Sequence, residues 1–170
     1  MSDKITLNQS YLGISVSAWK VILGFTLFRL FLALILPLTP QEAYYWSWSR
    51  DLALSYFDHP PLASYSIWFT TLIFGQTIFG IKLAAVLWYL GMNIIWATMI
   101  QEMFDNSRQS FWTLLALNAS IVFELYGFVI TPDTPLLFCW TATIYALWKL
   151  VQTEHPKWWY VAGLFMGLAW

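Results

Sequence analysis

The chain alternates between long apolar runs and short polar segments that carry most of its charges. A helix needs about 20 apolar residues to cross a bilayer, and four windows approach that length: Trp19–Leu38, Ile81–Ile100, Phe111–Ile130 and Thr134–Val151. A fifth run, Trp158–Trp170, stops at the chain end after little more than half a span. The pattern predicts an all-α integral membrane protein with about five transmembrane helices, the last one truncated. We expect residues 1–170 to be the N-terminal part of a longer transmembrane domain.

One more uncharged stretch, Leu62–Phe79, decides the topology. With Arg29 set aside as buried, an interfacial stretch and a cytoplasmic N-terminus place five basic residues inside and two outside: Lys4, Lys20, Arg108, Lys149 and Lys157 against Arg50 and Lys82. If it spans, three are inside and four outside. Because basic residues collect on the cytoplasmic side, residues 39–79 are predicted to form an outer-face loop with interfacial helices. Asp133 then emerges on that same outer face.

Composition agrees with a membrane protein and excludes several other classes. Hydrophobic residues make up 59% of the chain and charged residues only 10%, far from the usage of soluble domains. Twelve tryptophans, nine tyrosines and thirteen phenylalanines are typical of chains with many membrane–water interfaces. A net charge of −1 gives no basic surface for nucleic acid. The single cysteine, Cys139, excludes an intrachain disulfide and a cysteine-based metal site.

The outer loop begins with Thr39-Pro40-Gln41-Glu42, which has the form of a helix capping box with proline at the first helical position. It predicts an interfacial helix that runs to about Ala53. Glu42 then has two interpretations. It satisfies the first amides of that helix, or it is a carboxylate that faces the outer solvent and accepts a proton or a metal. The aromatic residues that follow favour a belt along the membrane surface over a substrate platform: Tyr44, Tyr45, Trp46 and Trp48.

Two proline-containing motifs carry the other acids of this face. Asp58 and His59 precede Pro60-Pro61, and proline biases the preceding residue toward extended backbone. An acid and an imidazole fixed in this way can engage phosphate, metal or a sugar hydroxyl. A simple turn in which Asp58 bonds its own backbone explains the motif equally well. In Thr131-Pro132-Asp133, the acid is expected in the first turn of a helix, where the dipole favours an anion.

Two charges lie inside predicted spans, where they are costly unless paired or hydrated. Arg29 precedes Pro37 by eight residues and Glu124 precedes Thr131 by seven, so both lie roughly 11–12 Å below the outer helix ends. Equal depth predicts an ion pair between the first and third spans. The alternative is that Arg29 reaches up to an anionic headgroup or phosphate. Lys20, at the inner end of the first span, is expected to snorkel.

Three runs of the sequence together resemble one family of membrane enzymes. They are Leu38-Thr39-Pro40-Gln41-Glu42-Ala43-Tyr44-Tyr45-Trp46, Ser55-Tyr56-Phe57-Asp58-His59-Pro60-Pro61-Leu62 and Thr131-Pro132-Asp133-Thr134-Pro135-Leu136. The chain resembles, from Arg29 onward, the bacterial family-39-type glycosyltransferases. These are similar to protein O-mannosyltransferases and lipid A aminoarabinose transferases of the GT-C superfamily.

The resemblance implies an inverting transferase of the bacterial inner membrane that moves a sugar from a polyprenyl-phosphate donor to a lipid, glycan or protein acceptor at the outer face. Glu42, Asp58 and Asp133 are then the catalytic candidates, and His59, Tyr45 and Arg29 the substrate-binding candidates. Members of the family usually have Asp-Glu where this chain has Gln41-Glu42. Gln41 cannot act as a base, so the role is expected to fall to Glu42. A divalent cation, Mg²⁺ or Mn²⁺, between acids such as Glu42 and Asp133 is a further hypothesis.

Two other classes stay open at this point. A transporter or channel subunit would use Arg29 and Glu124 to line a pathway, but the acids gather at one face, which favours surface chemistry. A noncatalytic membrane remnant or assembly partner is the other alternative. The family's relatives continue for several hundred residues and supply phosphate-binding basic residues later in the chain. We therefore expect these 170 residues to be inactive alone.

Overall fold

A computed structural model describes residues 10–11, 13–104 and 106–169. Lys4 and Trp170, which entered the predictions above, lie outside the described residues. The described part is mostly helical, as predicted. Its helices are α1 (Val16–Ile35), α2 (Pro40–Ser49), α3 (Leu62–Phe74), α4 (Ile78–Phe104), α5 (Ser107–Ala119), α6 (Ile121–Tyr126), α7 (Asp133–Thr153) and α8 (Lys157–Leu168).

A short β-hairpin precedes the first helix, where the sequence indicates only a polar segment. Strands β1 (Ser10–Tyr11) and β2 (Ile14–Ser15) pair antiparallel. Ser15 is also the N-cap of α1, and its hydroxyl accepts a hydrogen bond of 3.3 Å from the Ala18 amide. Ile14 is buried among residues of α1, α4 and α5. The hairpin therefore attaches the start of the chain to the helix bundle.

Three helices are long and apolar enough to cross a membrane: α1 with 20 residues, α4 with 27 and α7 with 21. They correspond to the first, second and fourth predicted windows. The third window, Phe111–Ile130, is not one continuous helix. Ser120 has extended backbone (φ −72°, ψ 124°) and separates α5 from the six-residue α6. Since α8 has only 12 residues, the predicted count of five spans is not confirmed.

Helix α3 covers most of the stretch that decided the topology. It has 13 residues, about 20 Å at 1.5 Å per residue, against a hydrocarbon core of about 30 Å. A turn with Gly75 in the left-handed region (φ 74°) reverses the chain, and α3 packs back along α4. The length agrees with the prediction that this stretch does not span.

A buried cluster ties the outer loop to the bundle and so positions the candidate site. Tyr45 of α2 and Ile67 of α3 pack with Ile81, Ala84 and Ala85 of α4 and with Ile130, just before α7. Leu38, Trp46, Trp48 and Trp88 cover this cluster. Burial of such side chains stabilises a packed core by about 1.5–3 kcal/mol each. The loop is therefore packed against α4 and against the segment just before α7, and the start of α7 lines the cleft described next.

Candidate active site

A cleft of about 280 Å³ opens where α2, the segment before α3 and the start of α7 meet. Most of its polar lining comes from the motifs singled out in the sequence. The lining residues are Gln41, Tyr45, His59, Pro60, Tyr126, Thr131, Pro132, Asp133, Leu136 and Ala169. A concave site with a few convergent polar groups is the usual form of a small-ligand site. The structure brings Asp133 and His59 into one cleft, as the prediction of a shared face requires, and the side of the membrane on which that face lies stays a prediction.

Helix α2 begins with the predicted capping box. The Thr39 hydroxyl accepts a hydrogen bond from the Glu42 amide at 3.2 Å, and the Glu42 carboxylate accepts one from the Thr39 amide at 2.9 Å. The helix ends at Ser49, four residues before the predicted end at Ala53. Residues four apart lie on one helix face, which is why Gln41 and Tyr45 both reach the cleft.

Glu42 points away from the cleft and is fully buried. Its two carboxylate oxygens accept hydrogen bonds from the Lys82 ammonium, at 2.9 and 2.7 Å, and Lys82 is itself 1% exposed. The Ile130 amide also donates to Glu42, at 3.4 Å. The expectation that Glu42 faces the outer solvent is therefore wrong. The charge of Lys82 near the start of α4 provides a partner that stabilises the carboxylate inside the protein.

Asp58 and His59 lie in a turn beside the aromatic residues of α2. The His59 Nε2 atom is 3.8 Å from the Asp58 carboxylate, and both side chains are about two-fifths exposed, at 40% and 43%. The imidazole packs edge-on against the Tyr45 ring, with centroids 5.7 Å apart. His59 lines the cleft and Asp58 lies next to it. The motif thus supplies two residues of the cleft lining, His59 and Pro60, and one flanking acid.

Tyr45 lines the cleft, and its phenol has a raised pKa. Burial raises the pKa of its phenol, and the negative charges of Asp58 and Asp133 raise it further. Both carboxylates are therefore close enough to the phenol to act on it electrostatically. The phenol of Tyr45 stays protonated and able to donate a hydrogen bond at neutral pH.

Asp133 is the first residue of α7 and is exposed to the cleft. It lies in the first turn, as predicted, with Pro132 as the cap residue rather than the first helical residue. Its carboxylate accepts no hydrogen bond from any residue that the structure describes. The loop before it is held by Thr134, whose hydroxyl accepts from the Thr131 amide at 3.2 Å and donates to the Val129 carbonyl at 3.2 Å.

Arg29 is buried in the bundle and does not line the cleft. It donates hydrogen bonds of 2.7 Å to both Glu124 and Asn118, and its guanidinium lies 4.8 Å from the centre of the Tyr89 ring. The predicted ion pair between Arg29 and Glu124 is confirmed. The alternative, in which Arg29 reaches up to a phosphate, does not match this geometry.

The arrangement does not favour a metal held by Glu42 and Asp133. Lys82 already donates to both oxygens of Glu42, and an ammonium there repels a cation. Within the described ranges, no three histidine, cysteine, aspartate or glutamate side chains are placed to hold a metal ion. The lining of the cleft therefore offers the Asp133 carboxylate, the His59 imidazole, the phenols of Tyr45 and Tyr126 and the Gln41 amide.

Sequence reasoning missed three contributors to this region. Lys82 entered only as a topological charge, although a lone lysine at the start of an apolar helix is a signal that it has a buried partner. Tyr126 is the last residue of α6, and Thr131 lies in the segment between α6 and α7. Both residues line the cleft. The break at Ser120 that places them there has no clear signature in an apolar run.

Comparison with known proteins agrees with the motifs. Residues 58–170 match the family described as dolichyl-phosphate-mannose-protein mannosyltransferase, and the chain belongs to this family of GT-C glycosyltransferases. It is also 28% identical over 157 residues to the lipid A galacturonosyltransferase RgtD of Rhizobium johnstonii. The match covers 90% of this chain and 33% of that protein, so the chain spans about a third of the relative's length. No solved structure matches the chain significantly.

Proposed function

We propose that the cleft is the sugar-transfer site of a membrane glycosyltransferase that uses a polyprenyl-phosphate-linked donor at the outer face of the bacterial inner membrane. The observation that carries the proposal is the exposed carboxylate of Asp133, which has no hydrogen-bond partner among the described residues and shares a cleft with Gln41, Tyr45 and His59. Family membership supports the reaction class. The relative's name supports a lipid-anchored saccharide as the acceptor.

Asp133 takes the base role in this proposal. It accepts the proton of the acceptor hydroxyl as that oxygen attacks the anomeric carbon with inversion, and the lipid phosphate leaves. Tyr45 and His59 bind the hydroxyl groups of the sugar, and Asp58, 3.8 Å from the imidazole, orients His59. Glu42 and Arg29 act as positioning residues through their buried ion pairs.

The geometry gives less support to a transporter or channel subunit. That function needs Arg29 and Glu124 to face a pathway, whereas their side chains bond to one another within packed helices. A noncatalytic assembly partner would not depend on Asp133. Substitution of Asp133 therefore distinguishes the two functions: it should impair a transferase and leave an assembly partner unaffected.

The test is sugar transfer by the full-length protein, assayed with a panel of polyprenyl-phosphate sugars and lipid A as acceptor. Asp133→Asn keeps the size of the side chain and removes the base, so we expect the rate to fall by about 100-fold or more. Asp51→Asn is the matched control, because Asp51 is an exposed acid in the segment after α2 and does not line the cleft. A wild-type rate in Asp133→Asn would remove the basis of the proposal.

A further inference from the structure

A second concave surface lies between α1 and α5, away from the cleft. It encloses about 400 Å³ and is lined almost entirely by apolar side chains. Lys20, Gly24 and Phe28 of α1 form one wall, with Phe111 and Leu115 of α5 opposite. This surface, which we call the α1–α5 groove, plays no part in the proposed reaction.

The shape of the groove suits a narrow, extended apolar chain. Lys20, Gly24 and Phe28 are spaced by four residues, so they follow one face of α1 over about 12 Å. The wall formed by α1 leaves open space at Gly24, because a methyl group added there would meet no atom within 4 Å. Phe25 and Phe111 pack against the buried cluster of α1, α4 and α5. The walls are therefore held in place before anything binds.

One charged group lies in the lining of the groove. The Lys20 side chain is exposed, and its ammonium makes no hydrogen bond or ion pair with the part of the chain that the structure describes. Arg108, at the start of α5, lines the adjacent cavity of about 420 Å³. Lys20 and Arg108 have no carboxylate partner among the described residues, and two such cations next to an apolar groove are complementary to a ligand with an anionic head and a hydrocarbon tail.

We propose that the α1–α5 groove binds one acyl chain of an anionic phospholipid, with its phosphate at the Lys20 ammonium. The lipid-linked sugar donor does not fit this place, because α1 runs a further 15 residues from Lys20 to its end at Ile35, about 22 Å toward the cleft side. A donor phosphate bound at Lys20 would be separated from Asp133 by most of the thickness of the bilayer. The site is independent of the proposed sugar transfer.

Native mass spectrometry of the full chain in detergent, with added phosphatidylglycerol or phosphatidylcholine, tests the proposal. We expect the unmodified protein to retain phosphatidylglycerol at least fivefold over phosphatidylcholine. Lys20→Gln should abolish that preference, and Gly24→Leu, which fills the open space, should reduce retention of both lipids. Lys157→Gln and Gly163→Leu are matched controls, since Lys157 is another exposed lysine at a helix start and Gly163 another open helical glycine.

Equal loss of the preference in Lys20→Gln and Lys157→Gln would show general attraction of anionic lipid, and would overturn the proposal. Full lipid retention in Gly24→Leu would also overturn the proposal. The same holds if another part of the protein or a second copy occupies the groove. Thermal unfolding of each variant is measured in parallel. If Gly24→Leu unfolds early, Leu115→Phe narrows the groove from α5 and must give the same loss of lipid.

Discussion

Thr131 is a cleft residue whose hydroxyl group has no structural role in the described part of the protein. It is 4% exposed, and its hydroxyl oxygen is buried without a hydrogen-bond partner among the described residues. Buried polar groups in folded proteins are nearly always bonded. Thr131 lines the cleft, so we expect its side chain to rotate when a ligand binds and its unpaired hydroxyl to bond a hydroxyl group of that ligand.

Replacement of Thr131 by valine therefore has an expected signature. Valine has nearly the same shape and removes only the unbonded oxygen, so thermal stability should be unchanged or slightly higher. The KM for the sugar donor or acceptor should rise roughly tenfold, the equivalent of one lost hydrogen bond of about 1.4 kcal/mol. Steady-state kinetics and a melting curve of the full-length variant provide both values.

The control is Thr134→Val, three residues further along the chain, in the first turn of α7. Thr134 bonds the Thr131 amide and the Val129 carbonyl, so its loss should lower stability by about 1–3 kcal/mol. If Thr131→Val also unfolds early while its KM is unchanged, Thr131 is a structural residue and the ligand contact is wrong.

For individual residues, the sequence predicted which side chains contact one another better than it predicted which of them are exposed. The pair Arg29–Glu124 followed from equal depth in two helices, since a buried charge needs a partner. The capping box of Glu42 was equally local and correct. The burial of Glu42 was not predictable, because its partner Lys82 is 40 residues away and only the fold brings them together.

Helix α6 is held against α1 by a close contact between backbone and side chain. Gly127, the residue that follows α6, lies so close to Arg29 that an added methyl group would overlap the guanidinium Nε atom. Arg29 has little freedom to move away, because Asn118 and Glu124 bond its other end. The glycine is required by packing at this position.

Gly127→Ala should therefore destabilise the protein by about 1–3 kcal/mol, the usual cost of overpacking a core. Thermal unfolding of the full chain measures the effect. Gly163→Ala is the control: its added methyl meets no neighbour, and alanine is the better helix former. Equal melting temperatures for the two variants would contradict the contact between Gly127 and Arg29.

At the scale of elements, apolar windows predicted the long helices within a few residues of their ends. The hydrophobic pattern located α1, α4 and α7 because length and apolar content are local properties. The break between α5 and α6 was missed, since a serine within an apolar run does not specify extended backbone. The start of α2 followed from its capping box, whereas its end at Ser49 was not predicted.

At the scale of the whole molecule, the loop motifs and Asp133 lie at one end of the bundle. The side of the membrane that this end faces is a separate prediction, and cysteine labelling in a Cys139→Ala background tests it. Asp51→Cys lies in the exposed outer loop, and Gln152→Cys lies near the opposite end of α7. In intact cells an impermeant maleimide should label position 51 alone, and position 152 only after permeabilisation. The reverse pattern would place the cleft in the cytoplasm.

The central claim is that Asp133 reacts within the cleft while Glu42 and Lys82 hold the loop that shapes it. A buried pair that loses one member leaves an unpaired charge, which costs about 3–5 kcal/mol, whereas replacement of both members by apolar or neutral groups is often neutral. Glu42→Gln alone should therefore lower the melting temperature and the activity together.

The most direct measurement compares sugar transfer by Asp133→Asn with that by the double variant Glu42→Gln/Lys82→Met in the full-length protein. We predict that the double variant recovers both the melting temperature and most of the rate, because it removes both buried charges. Asp133→Asn should melt normally and stay inactive. If the double variant is stable but inactive and Asp133→Asn is active, then Glu42 is the base and the role proposed for Asp133 is contradicted.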